Sequence, residues 1–225
     1  MKKVFRLLVM AAFVCGMTAM VGCGKDDDEG DGGNGGNGGN VVNPENLPTT
    51  LNETFDNGVP TNWGNIDADG DGYKWQNFYY NQSGGQTEPD GTVNSASYYN
   101  VIGPLSPDNY LVTPKLWIED GAKLTYDIVA ADAYFDHYSV LIGNMENGSF
   151  VSVATLLEED VPSTDVTTRT IDLSQYKGNG YCISFRHHNS YDEYVMKLDN
   201  VVVGKSGKAA NTTMAPTPKN ALKVK

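Results

Sequence analysis

Residues 123–129 read K-L-T-Y-D-I-V, and this stretch decides the fold class. Leu124, Tyr126 and Ile128 are apolar or aromatic, and the residues between them are polar. In an extended chain, successive side chains point to opposite faces, so these three side chains share one face. The alternation is therefore typical of a β-strand that is buried on one side and faces water on the other.

Similar short runs recur along the chain and are separated by Gly, Pro, Asn and Asp. They are rich in Tyr, Val, Ile and Thr, which favours strands joined by turns. The clearest runs are residues 109–113, 137–142, 150–156, 167–173, 181–188 and 194–203. Because no segment shows a convincing helical period, we predict an all-β domain over residues 51–204, folded as a jelly-roll β-sandwich.

Length and composition agree with one large domain. The chain has 225 residues, of which 40% are hydrophobic, and it includes 13 tyrosines, so it can bury a sizeable core. The formal net charge of −12 argues against nucleic acid as a partner, because phosphates require a basic surface. An acidic surface suits divalent cations or keeps the protein soluble by self-repulsion.

The first residues indicate an export signal. Lys2, Lys3 and Arg6 precede an apolar run over residues 7–21 that is short for a membrane span. The run ends in M-V-G-C at Cys23, which resembles the lipobox of bacterial lipoproteins. That resemblance implies a signal peptide over residues 1–22 and a lipid on Cys23. The alternative is an ordinary secretory signal followed by a chance cysteine.

A low-complexity segment follows Cys23. The sequence G-K-D-D-D-E resembles a surface-export signal of lipoproteins, although an ordinary solvated charge run has the same composition. Three G-G-N repeats come next, and such a segment behaves as flexible coil. We therefore predict a tether over residues 23–50, a disordered tail over residues 205–225, and a domain anchored by lipid alone to the outer membrane and exposed at the cell surface.

An acidic loop follows at residues 66–75, which read I-D-A-D-G-D-G-Y-K-W. Asp67, Asp69, Asp71 and Gly72 match four positions of an EF-hand loop, but the position of its last ligand, normally a glutamate, holds Phe78. The loop is therefore not an EF-hand. Spacing alone leaves two alternatives open, a calcium loop completed by ligands from elsewhere and a solvated acidic turn.

An ordered series of motifs carries a family resemblance. The series comprises N-E-T-F-D-N-G-V-P-T-N-W at 52–63, the acidic loop, S-A-S-Y at 95–98, G-P-L-S-P-D-N-Y-L-V-T-P at 103–114, D-H-Y-S-V at 136–140, I-S-F-R-H-H at 183–188 and L-D-N-V-V-V at 198–203. Residues 53–204 thereby resemble the cleaved adhesin domain, which occurs in the adhesin regions of gingipain proteases. The resemblance implies a jelly-roll sandwich with bound calcium that acts as a non-catalytic binding module.

The resemblance also implies calcium ligands. It places Glu53 at the start of the first strand and Asp199 in the last, where one ion would join the two ends of the domain. The family commonly has a second aspartate where this chain has Asn200, whose amide oxygen carries less charge. With the acidic loop, the predicted ligands are Glu53, Asp67, Asp69, Asp71 and Asp199, and the weaker candidates are Asp56, Asp108, Asn109 and Asn200.

Aromatic residues are the candidates for ligand contact. Tyr79, Tyr80, Tyr99 and Tyr191 cluster near predicted loops, where exposed rings can stack on sugars or enter a protein interface. The competing interpretation is that they belong to the core, as aromatic residues of a sandwich usually do.

Signals for catalysis and for zinc are weak. The chain has no G-x-S-x-G motif, and it lacks the Cys/His spacing of zinc sites, so we expect no zinc. His187 is expected to be a hydrogen-bonded core histidine. Acidic residues are plentiful enough that a glycosidase pair stays open.

We therefore predict a non-catalytic surface adhesin that binds a host or matrix protein, or a glycan. The first alternative is a carbohydrate-binding accessory lipoprotein of a glycan-uptake system. The second is a glycan hydrolase.

Overall fold

A computed structural model describes residues 42–81 and 83–205, which form two packed antiparallel sheets. The strands are β1 (Leu51–Glu53), β2 (Gly64–Asp67), β3 (Val93–Ala96), β4 (Tyr98–Tyr99), β5 (Gly103–Pro104), β6 (Asn109–Val112), β7 (Leu116–Trp117), β8 (Lys123–Ala130), β9 (His137–Glu146), β10 (Ser149–Asp160), β11 (Thr167–Asp172), β12 (Gly180–His187) and β13 (Val195–Gly204). One short 3-10 turn, Ser174–Tyr176, precedes β12. The predicted all-β sandwich is confirmed.

The first sheet has the order β1-β13-β8-β11, with β3 also on β13. β1 and β3 share one edge of β13, because β1 pairs with residues 201–203 and β3 with residues 195–198. The register between β13 and β8 shifts between Asp199 and Val202, which marks a β-bulge. Asn200 lies in this bulge with a positive φ of 51°.

The second sheet has the order β10-β9-β12-β6-β2, with β7 also on β12. β9 and β10 form a long hairpin whose register shifts twice. β4 and β5 form a separate two-stranded ribbon. The described residues include no helix that is long and apolar enough to cross a membrane.

The core lies between the sheets. Leu124, Tyr126 and Ile128 of β8 are fully buried, as the alternation in K-L-T-Y-D-I-V predicts. Tyr126 packs edge-on against Phe185 of β12, with ring centroids 5.0 Å apart. Burying a side chain of this size contributes about 1.5–3 kcal/mol, and the two sheets meet through many such contacts.

A second, smaller apolar cluster lies beside the core. Tyr99, Tyr194, Ala96 and Val195 form it, and the rings of several partly buried tyrosines pack against them. Tyr99 contacts Tyr80 edge-on at 5.2 Å. This cluster holds the long segment between β2 and β3 against the end of β13.

Several sequence predictions lie outside the described residues: lipidated Cys23, the signal peptide, most of the tether and all but the first residue of the tail. Cys182 is buried as a free thiol in β12, and burial raises its thiol pKa. It therefore serves as a small apolar residue of the strand.

Candidate functional site

The acidic loop lies at the end of β2. Asp67, Asp69 and Asp71 each offer a carboxylate oxygen, and these oxygens all lie within 4.8 Å of one another. Gly70 and Gly72 have φ angles of 78° and 88°, so the turns between the aspartates use a conformation that glycine adopts at little cost. The sequence pattern therefore folds into a compact carboxylate cluster.

Backbone amides hold the loop in shape. The carboxylate of Asp67 accepts from the amides of Gly70 at 2.7 Å and Gly72 at 2.8 Å. Asp69 accepts from the amide of Asp71 at 3.0 Å and from the amide of Asp108, the residue just before β6, the strand that pairs with β2. The loop is thus a series of Asx turns fastened to β6.

The electrostatics of the loop favour a cation. Desolvation raises the pKa of Asp71, and the nearby charges of Asp69 and Asp67 act in the same direction against a hydrogen bond from the amide of Tyr73. Each carboxylate oxygen that accepts one N–H retains a further lone pair, so the cluster can still ligate a hard cation such as calcium. Because backbone amides also satisfy the loop without an ion, the geometry fits both a calcium loop and a solvated turn.

The predicted end-to-end ligands lie on neighbouring strands, since β1 pairs with β13. Glu53 ends β1 rather than starting it, is paired with Val201, and accepts the amide of Phe55 at 2.9 Å. Asp199 lies on β13 directly opposite Asp127 of β8. Among the described residues, Glu53 and Asp199 do not join a group of three metal-ligating side chains within 4.8 Å. An ion between them stays a prediction.

Asp199 and Asp127 form a carboxylate pair on the outer face of the first sheet. Burial raises the pKa of Asp199 to about 7, and the charges of Asp127, Asp56 and Asp90 add to the shift, although a hydrogen bond from the amide of Asn200 opposes it. The Asn200 side-chain amide donates to Asp127 at 2.9 Å and to Asp199 at 3.2 Å. Asn200, a predicted ligand, here bridges the two acids.

The remaining weaker candidates have other partners. Asp108 forms a bidentate ion pair with Arg186, whose Nε and Nη2 donate to the two carboxylate oxygens at 2.7 and 3.0 Å. Asn109 is buried in β6, and its amide oxygen has no hydrogen-bond partner. Asp56 is exposed in the loop after β1 and accepts from Thr54 at 2.8 Å. Among the described residues, neither Asp56 nor Asp108 joins the carboxylate cluster of the acidic loop.

A groove on the outer face of the first sheet is the main concave feature near these acids. It has a volume of about 300 Å³ and runs between the segment before β3 and the loop before β11. Five acidic side chains and one lysine line it, namely Glu88, Asp90, Asp127, Asp165, Asp199 and Lys197. We call this the acidic groove. Its charge favours a cationic or hydrogen-bond-donating group.

Tyr79 forms an aromatic wall of the acidic groove. The ammonium of Lys197 lies 4.7 Å from the ring centroid and also contacts Asp90 at 2.5 Å. Although burial acts against it, the charge of Lys197 lowers the pKa of Asp90. Lys197 is therefore held between the Tyr79 ring and the Asp90 carboxylate. Its charge balances that of Asp90 and not the charges of the other acidic side chains of the groove.

The other predicted aromatic contacts differ in exposure. Tyr191 is 65% exposed in the loop before β13. Tyr80 is half-buried against Tyr99. Tyr99 is only 1% exposed, which corrects the expectation of a contact residue there, because its ring fills the smaller apolar cluster.

A buried Ser–His–Asp chain occurs in the described part of the protein. His187 lies 2.8 Å from the Ser95 hydroxyl and 3.1 Å from the Asp136 carboxylate. The three residues are at most 1% exposed, so no substrate reaches the serine. These three residues form a structural hydrogen-bond network, in agreement with the expectation that His187 is a hydrogen-bonded core histidine.

Sequence reasoning missed most of the acidic groove. Asp127 and Val129 lie on the side of the K-L-T-Y-D-I-V alternation opposite to the core residues, so that pattern predicts that they face outward. Lys197 lies on β13, where Val195, Met196 and Leu198 are all buried, so no such alternation predicts its direction. That β8 and β13 are neighbours was not readable from that pattern.

The match to known families agrees with this architecture. A family model described as the cleaved adhesin domain matches residues 48–203. The chain belongs to the cleaved adhesin domain family. The resemblance seen in the ordered motifs is thus confirmed over nearly the whole described domain.

Relatives in the cleaved adhesin family come from Porphyromonas gingivalis. Hemagglutinin A of strain ATCC BAA-308 / W83 is 35% identical over 196 residues, covering 76% of this chain and 9% of that protein. Gingipain R1 of strain ATCC 33277 is 36% identical over 182 residues, covering 73% of this chain and 10% of that protein. The chain thus spans about a tenth of the length of these relatives.

Solved cleaved adhesin domains have the same fold. The K3 domain of Lys-gingipain from P. gingivalis W83 is 36% identical, with a TM-score of 0.58 over 68% of this chain and 96% of that one. The K1 domain is 34% identical, with a TM-score of 0.56 over 71% of this chain and 99% of that one. The sandwich described above is therefore that of the family.

Proposed function

We propose that this protein is a non-catalytic adhesin displayed at the cell surface, where it binds a protein partner or a glycan. Membership of the cleaved adhesin family supports this role, since the relatives are named as a hemagglutinin and as gingipains. The buried position of the Ser95–His187–Asp136 chain supports a role without catalysis at that site.

The acidic groove is the observation that carries the proposed binding role. It combines an aromatic wall, Tyr79, with five acidic side chains and apolar surface from residues such as Val129 and Val166. Lysine or arginine side chains of a protein partner complement this charge, and the ring supplies stacking area. We therefore favour a host or matrix protein with a basic surface over an anionic glycan.

Calcium is part of the proposal. The acidic loop supplies three carboxylates at its tip, and Glu53 and Asp199 lie on the paired end strands. Hard oxygen ligands of this kind suit calcium, which binds six to eight oxygens. In this proposal, one ion stabilises the loop, and a second joins the two ends of the domain.

We further propose that a lipid on Cys23 anchors the protein to the outer membrane. The M-V-G-C sequence after an apolar run supports this. Cys23→Ser should release the protein from the membrane fraction into the soluble fraction. Persistence of the variant in membranes would exclude a lipid on this thiol as the anchor.

The binding role is tested with immobilised matrix proteins and a glycan array. Tyr79→Ala and Asp127→Asn should each weaken capture of a basic protein at least tenfold, while Tyr191→Ala serves as the matched control with an exposed ring removed elsewhere. Loss of binding in Tyr191→Ala alone would move the site to the loop before β13. Hits confined to defined sugars would favour the alternative, a carbohydrate-binding accessory lipoprotein of a glycan-uptake system.

A glycan hydrolase is a second candidate because of one observation. Asp199 has a pKa near 7 and lies opposite Asp127 in a groove, and glycosidases pair a protonated carboxyl with an ionised one. This candidate predicts turnover on a panel of glycans that is lost in Asp199→Asn. No turnover on the panel argues for binding alone.

A further inference from the structure

Two histidines meet on the outer face of the second sheet, away from the acidic groove. His137 begins β9, His188 follows β12, and Glu158 and Asp160 lie on β10. Ligand atoms of His137, His188 and Glu158 all lie within 4.8 Å of one another. We call these four residues the histidine–carboxylate cluster.

Strand pairing explains why these residues meet. His137 is paired with Asp160 in the β9–β10 hairpin, and the amide of His188 donates to the carbonyl of His137 at 3.3 Å. Glu158 is paired with Ser139, two residues further along the same face of β9. Because side chains two apart in a strand point the same way, all of these groups share one face.

The hydrogen bonds of His137 resemble those of a metal ligand. Its Nδ1 lies 2.7 Å from the carboxylate of Asp160, so Nε2 is the ring nitrogen that would bind a metal ion. That Nε2 lies 3.2 Å from an oxygen of Glu158, a separation close to that of two ligands on one tetrahedral zinc ion. Histidines that bind metals usually donate their other nitrogen to a carboxylate in this way.

His188 supplies the second imidazole. It is mostly buried, and its ring packs edge-on against the ring of His137 with centroids 5.2 Å apart. The hydroxyl of Ser139 lies 2.6 Å from its Nε2 and fixes the ring. Burial, together with the charge of Arg186, lowers the pKa of His188, so at neutral pH this ring is in the uncharged form that metals require.

We propose that the histidine–carboxylate cluster binds one divalent transition-metal ion of the zinc class. His137, His188 and Glu158 are the ligands, and Asp160 and Ser139 position the two rings. Imidazole nitrogen is a ligand that zinc prefers and calcium does not, so this site is distinct from the proposed calcium sites. Three protein ligands leave a coordination position for water.

The surrounding charge is compatible with a dication. Glu158 and Asp160 bring two negative charges to the cluster. Arg186 lies on the adjacent strand, but its guanidinium is already paired with both carboxylate oxygens of Asp108. The site is also accessible, because the side chains of His137 and Glu158 are 24% and 48% exposed.

The competing occupant of the cluster is a proton. Although burial opposes it, hydrogen bonds to Asp160 and Glu158 raise the pKa of His137, so a proton on this ring competes with the metal ion. Zinc displaces that proton from Nε2. The expectation of no zinc rested on the lack of Cys/His spacing along the sequence, whereas the meeting of His137 with His188 depends on strand pairing.

Titration of the full chain with zinc, followed by calorimetry at neutral pH, tests the proposal. One zinc ion per chain should bind, and Glu158→Gln and His188→Ala should each weaken binding at least tenfold. Asp160→Asn should weaken it about 10–100-fold, as expected for a group that orients a ligand. Cobalt in place of zinc should give visible absorption bands that Glu158→Gln removes.

Two matched controls make the test specific. Glu146→Gln removes the same charge at the far, exposed end of β9 and should bind zinc like the wild type. Asp69→Asn should also retain zinc binding, and loss of zinc in that variant would assign the metal to the acidic loop. Equal affinity in Glu158→Gln and wild type, or no zinc binding by the wild type, would overturn the site. Glu158 is a surface residue, so this outcome does not depend on whether His188→Ala folds.

Discussion

The hydroxyl oxygens of Tyr126 and Tyr138 lie 2.9 Å apart in the core and connect the two sheets of the sandwich. Tyr138 also donates to Glu159 at 2.8 Å, and Glu159 in turn pairs with Arg169 of the first sheet at 2.7 and 2.9 Å. Since Tyr138 donates to the carboxylate, Tyr126 must donate to Tyr138. The hydrogen bonds therefore run in one direction, from Tyr126 through Tyr138 to Glu159, and the two phenol groups are not equivalent.

That direction predicts different costs for removing each hydroxyl. Tyr126→Phe removes one hydrogen bond and leaves Tyr138 still paired with Glu159, so we expect a loss of about 0.5–1.5 kcal/mol in the free energy of unfolding. Tyr138→Phe leaves the buried hydroxyl of Tyr126 without an acceptor, so we expect a loss of about 1–3 kcal/mol. Urea denaturation of both variants measures the difference, and a larger loss in Tyr126→Phe would reverse the direction.

Asp199 predicts a pH dependence of stability. Its pKa is raised to about 7 in the folded protein, above that of the unfolded chain. The folded state therefore binds this proton more tightly, and its contribution to stability is lost as the pH rises from about 4 to about 7. In chelator, Asp199→Asn should melt higher than wild type at pH 8, and the gap should shrink at pH 5.

Added calcium should favour the wild type over Asp199→Asn, which is the opposite of the order of melting temperatures expected in chelator at pH 8. If Asp199 is a ligand, millimolar calcium should raise the melting temperature of the wild type more than that of Asp199→Asn. Equal gains in the two proteins would remove Asp199 from the ligand set while leaving the acidic loop as a candidate.

The acidic loop predicts a second calcium effect. A cation that binds only the folded state adds about 2.7 kcal/mol at a hundredfold excess over its Kd. Calcium should therefore raise the melting temperature by several degrees, and Asp69→Ala should abolish the part due to the loop. Asp120→Asn, which removes an exposed carboxylate that pairs with Lys177, is the control. No shift in the wild type would identify residues 66–75 as a solvated turn.

Gly143 predicts a packing effect in the β9–β10 hairpin. A methyl group there would collide with the carbonyl oxygen of Val151 and lie 2.9 Å from the ring of Phe150. Gly143→Ala should therefore destabilise the protein by about 1–3 kcal/mol or more, because backbone cannot move aside cheaply. Gly204→Ala is the matched control, since its methyl group would meet only Thr50, at an ordinary 3.6 Å. Equal melting temperatures of Gly143→Ala and the wild type would show that the backbone of the hairpin shifts to accept the methyl group.

The sequence predicted features that depend on neighbouring residues. The alternation of Leu124, Tyr126 and Ile128 defines the buried face of β8, and the spacing of Asp67, Asp69 and Asp71 places three carboxylates together. Both follow from backbone periodicity over a few residues, and the ordered motifs supplied the family and hence the sandwich.

The sequence could not predict features that depend on strand order. The pair formed by Asp127 and Asp199 requires β8 to lie beside β13 with a bulge at Asn200. The histidine–carboxylate cluster requires three separate strands in register. Tyr99 was misplaced because an aromatic residue near a loop can face either solvent or a second apolar cluster, and local pattern does not distinguish the two.

The pairing of Leu51 with Val203 has one further consequence. Because β1 and β13 are antiparallel neighbours, the polypeptide comes into the sandwich and leaves it at the same corner. A unit built this way can be inserted into a longer polypeptide, or repeated in tandem, without stretching the sequence on either side. Pulling on the two ends would separate the three residue pairs between β1 and β13 first, starting at Leu51 and Val203, while β13 stays paired with β8 and β3.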